Sequence, residues 1–187
     1  MSKSNKIRLS EFVPQKTDVV TFDSNILIKL LYPAMCDNTQ IEPYEDLYAK
    51  ILKAKSNLII SSIQISEFVN RCIRFQFALF KTAQNNSSMD FKKDYRDTDD
   101  YKESMNAILE IIKTDIIPNY SFIDDGFSNM QTDSIFKYGF SYDFNDSILL
   151  EIAKQHNSIL VTDDADFGNY TSKVKIVTNN SKLLLFA

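Results

Sequence analysis

The chain has 187 residues, enough for one domain with a sizeable core, and its 44% hydrophobic and 25% charged residues are ordinary for a globular protein. A net charge of −4 argues against a protein that wraps long duplexes without sequence preference, yet leaves nuclease chemistry open, because bound cations offset clustered carboxylates. With 3 glycines and 4 prolines, few turns use special backbone angles, and helices joined by short loops are favoured over hairpins.

Val19–Asp23 (VVTFD) is a short, β-branched apolar run ending in an acid, the pattern of a buried strand. Ser24 and Asn25 follow as good helix caps, Ile26–Leu31 reads as a short helix, and Pro33 stops it. Glu42–Lys55 reads as a second helix, with Pro43 in its first turn and Leu47, Ile51 and Leu52 on one face. Asn57–Ser61 (NLIIS) is a second buried strand. Ser62 is taken as the cap of a long helix from Ile63 to Ala83, with Glu67 near its start.

Residues 85–104 are polar, charged and poor in aliphatics, which predicts a loop or a loosely ordered insertion. Tyr101–Ile117 resumes a helical pattern, Tyr120–Ile123 is read as extended, and Phe127–Tyr138 as a short helix. Residues 85–140 together are read as an insertion or lid on a single domain spanning 1–187. Tyr142–Asn145 is a loop and Asp146–Gln155 a helix. Ser158–Thr162 and Val174–Thr178 are strands, and Leu183–Phe186 is an apolar tail packed on the sheet. Continuous apolar strands separated by helices indicate a parallel α/β sheet.

No segment reaches the ~20 apolar residues of a membrane span, and MSKSNKIRLSEFVPQ has no apolar run of signal-peptide length, so a soluble cytoplasmic protein is expected. Cys36 and Cys72 lack paired-ligand spacing. His156 is the only histidine, which leaves Ser-His-Asp or Cys-His catalysis little to stand on.

The acids fall at the ends of elements. Asp23 ends a strand, Asp163, Asp164 and Asp166 follow another, Glu67 lies early in a helix, and Asp143 and Asp146 flank a helix start. In an open parallel sheet these positions share one edge. Carboxylates packed there repel one another and stay ionised cheaply only around a cation; Mg²⁺ and Mn²⁺ suit such oxygen ligands and assist phosphodiester hydrolysis. Taken singly, Asp23 serves equally well as a cap and Glu67 as a solvated first-turn acid, so the conjunction carries the reading.

Three segments in order, VVTFDSNILIKLL, IISSIQISEFVNR and DFNDSILLEIAKQHNSILVTDDADF, resemble the PIN domain, and within it the toxin nucleases of VapBC-type toxin–antitoxin pairs. The resemblance implies a three-layer α/β/α fold around a parallel sheet, dependence on Mg²⁺ or Mn²⁺, and cleavage of single-stranded or looped RNA. It places the catalytic, metal-holding acids on Asp23, Glu67, Asp146 and Asp164. Asp166 is the alternative for the fourth position, and Asp143 is an extra acid that either joins the metal or caps the helix. Ser24, Asn25 and Thr162 are supporting residues, and Lys29, Arg71 and Arg74 are candidate RNA contacts. An antitoxin protein and a second copy of the chain are the implied partners. Other readings are a non-catalytic RNA- or protein-binding module, an RNA-processing nuclease that is not a toxin, and a phosphatase or DNA nuclease with a similar site.

Overall fold

A computed structural model describes residues 5–36, 41–136, 143–169 and 173–185. Six strands form one sheet: β1 (Lys6–Arg8), β2 (Val19–Phe22), β3 (Asn57–Ser61), β4 (Ser121–Ile123), β5 (Ile159–Val161) and β6 (Ile176–Thr178). Their order is β1-β6-β5-β2-β3-β4, and every pair is parallel. The helices are α1 (Ser24–Leu31), α2 (Glu42–Ala54), α3 (Ser62–Ala83), α4 (Asp99–Ile111), α5 (Thr132–Ile135), α6 (Phe144–Gln155) and α7 (Ser181–Leu185). The expected α/β architecture, a parallel sheet between helical layers, is what the chain adopts.

The apolar runs are the central strands. Val20 and Phe22 of β2, Leu58 and Ile60 of β3 and Val161 of β5 share one buried cluster with residues of α1, α2 and α3. Leu160 and Ile176, on the other face, join Leu149, Leu150 and Ala153 of α6 and Leu183 of α7 in a second. Both faces are covered, as a parallel sheet requires. Val20, Thr21 and Phe22 pair with Ile159, Leu160 and Val161, so the ends of β2 and β5 are level. Successive strands run one way from β2 to β3 and β4, and the other way from β5 to β6.

Several boundaries differ from expectation. The helix after β2 begins at Ser24 with Asp23 as its cap, and α3 begins at Ser62 with Ser61 as its cap. β1 was not anticipated, because Lys6-Ile7-Arg8 at the sheet edge carries no apolar run. Tail residues Ser181–Leu185 form a helix anchored by Leu183, while Leu185 is exposed and Phe186 lies outside the described residues. Of the region 127–138, Phe127–Asn129 is a 3-10 turn and only Thr132–Ile135 is α-helical; Tyr138 is not among the described residues.

The larger correction concerns 85–104, which is not a loose loop. Asp90 caps a π-helical turn, Phe91–Tyr95, by accepting from the Lys92 and Lys93 amides at 2.9 Å each. Phe91 and Tyr95 are buried in the main cluster. They pack with Phe77, Phe80 and Tyr101 at ring-centroid distances of 5.1 to 6.2 Å. The stretch is poor in aliphatics, but aromatics four apart supply its burial. Tyr95 also donates its hydroxyl to Asp100 at 2.7 Å, and Thr98 caps α4.

This assigns the segment a share of the global stability. Phe91→Ala and Tyr95→Ala are each expected to lower unfolding free energy by roughly 3–4 kcal/mol in urea titrations. A loose loop would give changes of about 0.5 kcal/mol or less.

Candidate active site

The direction of strand succession reverses between β2 and β5, the place where an open α/β sheet offers a crevice beyond its strand ends. Asp23 stands there. Its N–H donates to the Val161 carbonyl at 2.9 Å, extending the ladder to β5, while its own carbonyl accepts from the Ile26 and Leu27 amides at 2.9 and 3.0 Å. Strand end and helix start thus both fix this residue. Its side chain is 4% exposed. The Thr162 hydroxyl donates to its Oδ2 at 2.8 Å, and the backbone and side-chain amides of Asn25 approach its two oxygens at 3.4 Å.

Thr162, fully buried just past β5, also accepts from the Asp164 N–H at 3.0 Å. Asp164 in turn accepts from the Asp166 N–H at 2.9 Å. One hydroxyl therefore ties the acid after β2 to the acid after β5. Asp146 lies in the first turn of α6, whose cap is Asp143, accepting from the Asn145 N–H at 2.8 Å. Asn145 also donates to Glu67 at 3.4 Å, linking α6 to α3.

A residue that the sequence reading passed over locks this corner. Gln64, almost wholly buried, accepts through Oε1 from the Ser61 N–H and hydroxyl, both at 2.9 Å. Its Nε2 donates to Thr21 Oγ1 at 3.1 Å and to the Phe22 carbonyl at 2.6 Å. It pins the start of α3 against the end of β2, one residue before Asp23. Ser61 and Gln64 stand three apart, the capping-box spacing, so the signal was present in the sequence.

The electrostatics follow from burial and crowding. Burial raises the Asp23 carboxyl to about 6, against the hydrogen bonds from Thr162 and Asn25; the charges of Asp164 and Glu67 add to the rise. Asp146 is pushed to about 8, by burial first and then by Asp23, Asp164, Asp143 and Glu67. Asp166 is raised too, by burial and by Asp164 and Asp143. Asp23 thus feels the charges of Asp164 and Glu67, and Asp146 feels those of Asp23, Asp164 and Glu67. Of the pair after β5, Asp164 acts on both Asp23 and Asp146, which makes it the inner member. Among the described residues, no three histidine, cysteine, aspartate or glutamate side chains form a set that would hold a metal ion as they stand. The donors are nonetheless all oxygen, and Mg²⁺ keeps most of its waters and needs only one or two carboxylates directly. The chemistry of the set fits such an ion.

The expected cations divide. Lys29 is ion-paired with Asp163 and lies 5.6 Å from the Tyr44 ring centre. Arg71 donates to Asn25 and is 3.8 Å from Glu67. Arg74 is stacked over the Phe91 ring at 3.9 Å, toward the segment after α3. Ser24 is buried at the start of α1.

Comparison with known proteins adds a family match. The model of the PIN domain family matches residues 20–173. Among solved structures, one resembling this chain is VapBC2 from Rickettsia felis bound to a DNA fragment from their promoter. It is 14% identical with a TM-score of 0.49, and the match covers 86% of this chain and 98% of that one. No curated protein matches.

The crowding has a measurable consequence. Because Asp146 titrates near 8 when folded and near 3.8 when unfolded, the folded chain binds the extra proton between those values. The contribution of Asp146 to stability without metal therefore falls as pH rises from 4 to 8 and levels off above. Asp146→Asn removes this penalty. Thermal melts in EDTA should show no gain for the variant near pH 4, a gain that grows with pH, and a few degrees by pH 8. Equal melts at pH 8 would show that the carboxylates are not crowded.

Proposed function

The chain belongs to the PIN domain family, whose members are generally nucleases that use divalent metal ions, and we propose that this one is an endoribonuclease working at the carboxylate crevice between β2 and β5. The observation that carries the reading is the convergence of Asp23, Glu67, Asp146 and Asp164, from four separate segments, into one mutually repelling set. Such a set is costly unless it serves to concentrate positive charge.

In this reading the four acids hold Mg²⁺ or Mn²⁺, Asp143 caps α6, and Asp166 fastens Asp164 through its amide. The bound ion supplies charge against the phosphate and acidifies water. Asp23 is the rigid member, held by two backbone elements and the Thr162 hydroxyl. Asn25 and Asn145 orient Asp23 and Glu67 and bring no further charge. Arg71, at the rim beside Glu67, and Lys29 are the cations placed to meet an incoming phosphate.

RNA as substrate and the role of a toxin follow from the resemblance of the three motifs to VapBC-type toxins. On that reading an antitoxin covers the crevice, the chain pairs with a second copy, and it works in the cytoplasm. Among the described residues, no helix is long and apolar enough to cross a membrane.

Cleavage assays on RNA, single-stranded DNA and small phosphate esters test the reading. RNA should be cut in Mg²⁺ or Mn²⁺ and not in EDTA, and Asp23→Asn or Asp146→Asn should lower the rate by roughly a hundredfold or more. Undiminished cleavage by either variant would sink the assignment. A growth arrest on expression, relieved by a neighbouring small gene product, would support the toxin role; harmless expression of an active enzyme would favour RNA processing.

A further inference from the structure

The turn after α3 gathers positive charge on one ring. Phe91 is buried against Phe77, Tyr95 and Tyr101. Two guanidinium groups lie over this ring, Arg74 at 3.9 Å from its centre and Arg96 at 5.5 Å. The two charges are therefore within about 10 Å of each other, a Debye length at 0.1 M salt, and they repel. Both arginines are exposed, and among the described residues neither enters an ion pair. The acids of this stretch are engaged elsewhere. Asp90 accepts from the Lys92 and Lys93 amides, and Asp94 from the Asp90 amide at 2.7 Å. Asp99 is paired with Lys102, Asp97 bears on the same lysine, and Asp100 accepts the Tyr95 hydroxyl. Glu103 stands two residues beyond Tyr101, on the other side of α4.

Helix α3 ties the pair to the carboxylate crevice. Glu67, Arg71 and Arg74 follow the i, i+4, i+7 spacing, so they share one stripe of that helix. Arg71 reaches back along it to Glu67 and across to Asn25. Arg74 is seven residues from Glu67, about 10 Å along the axis at 1.5 Å per residue. That is roughly three nucleotides of a stacked strand at 3.4 Å each. We propose that Arg74 and Arg96, braced on Phe91, form a phosphate clamp for a nucleic-acid strand whose scissile bond lies at the crevice. The inference rests on the nuclease reading and deepens it by giving the turn after α3 a share in holding the substrate.

The chemistry favours a phosphodiester. A guanidinium is a planar fork that takes two phosphate oxygens at once, and stacking on a ring fixes its plane while leaving its N–H edge free. Lys92 and Lys93, exposed on the same turn, and Lys81, 5.0 Å from the Phe77 ring centre, add to the positive charge. The surface is not an apolar dock, since Phe91 is covered. Exposed Leu79 lies five residues beyond Arg74, on another side of α3. Exposed Leu109 lies eight residues along α4 from Tyr101, about 12 Å away. An acidic protein segment would meet the same two charges. Continued along the stripe, however, it would run into Glu67 and the other acids, whereas a phosphate strand is drawn to the divalent ion that they hold in the nuclease reading.

Anisotropy titrations of a labelled single-stranded oligouridylate, in Mg²⁺ on an Asp146→Asn background, read binding without turnover. Each phosphate contact to a single strand steepens the dependence of log affinity on log salt by about 0.7. Arg74→Gln and Arg96→Gln should each flatten that slope by about 0.7 and weaken binding about fivefold at 0.1 M salt. Arg74→Lys should restore the slope. Lys53→Gln on α2, an equal loss of charge, should leave slope and affinity unchanged. Glutamine variants that melt lower yet keep the wild-type slope would reduce the arginines to a cover for Phe91 and overturn the clamp. Equal losses from Lys53→Gln would overturn it as well, by showing a diffuse field in place of a site. Displacement of the RNA by polyglutamate as readily as by unlabelled RNA would assign the arginines to an acidic protein segment instead. Arginine-dependent binding by a protein whose wild type never cuts would keep the clamp and remove the nuclease reading.

Discussion

Burying a carboxylate beside other carboxylates is the constraint around which this structure is arranged. Asp23 cannot drift toward water to relieve its charge, because its N–H is in the sheet and its carbonyl begins α1. Everything nearby responds to that. Thr162 offers a hydroxyl, Asn25 offers amides, and Gln64 holds α3 against the strand end, so that the neighbourhood is polar without adding cations at Asp23 itself. Lys29 is turned to Asp163, and Arg71 to Asn25 and Glu67.

Among the described residues, Lys29 and Arg71 are thus paired at the rim of the site. Burial first, and then the neighbouring acids, raises the carboxyls of Asp23 and Asp146. A fold built only for stability would place an arginine among them or replace one acid with an amide. On the proposed reading, retaining four acids costs stability in the metal-free protein, and a bound divalent ion would offset that cost. On that reading metal affinity and fold stability are linked.

Much of this was legible in the residues. Strands β2, β3, β5 and β6 were visible as short apolar runs, and their parallel arrangement followed from the helices between them. The acids were visible through three motifs in order, but each motif alone left a cap as good an explanation. The structure shows that Asp23 is both a cap and a member of the cluster, and that Asp143 is a cap. The reading failed where burial was not aliphatic: Phe91 and Tyr95 sit in a polar stretch, and their partners are rings of the two flanking helices, α3 and α4. It also failed at Lys6–Arg8, where strand formation is set by an available sheet edge and not by local hydrophobicity. Gln64 was overlooked although its spacing from Ser61 fits a capping box, because its bonds to Thr21 and Phe22 show only once α3 is known to meet the end of β2.

The arrangement of acids at the β2–β5 switch point is best tested by anomalous diffraction from a crystal soaked in Mn²⁺. The account predicts a peak within about 2.5 Å of carboxylate oxygens from Asp23 and at least one of Asp146, Asp164 and Glu67, with no such peak in Asp23→Asn crystals. A Mn²⁺ site elsewhere, or an empty crevice with the acids paired to protein cations, would contradict it.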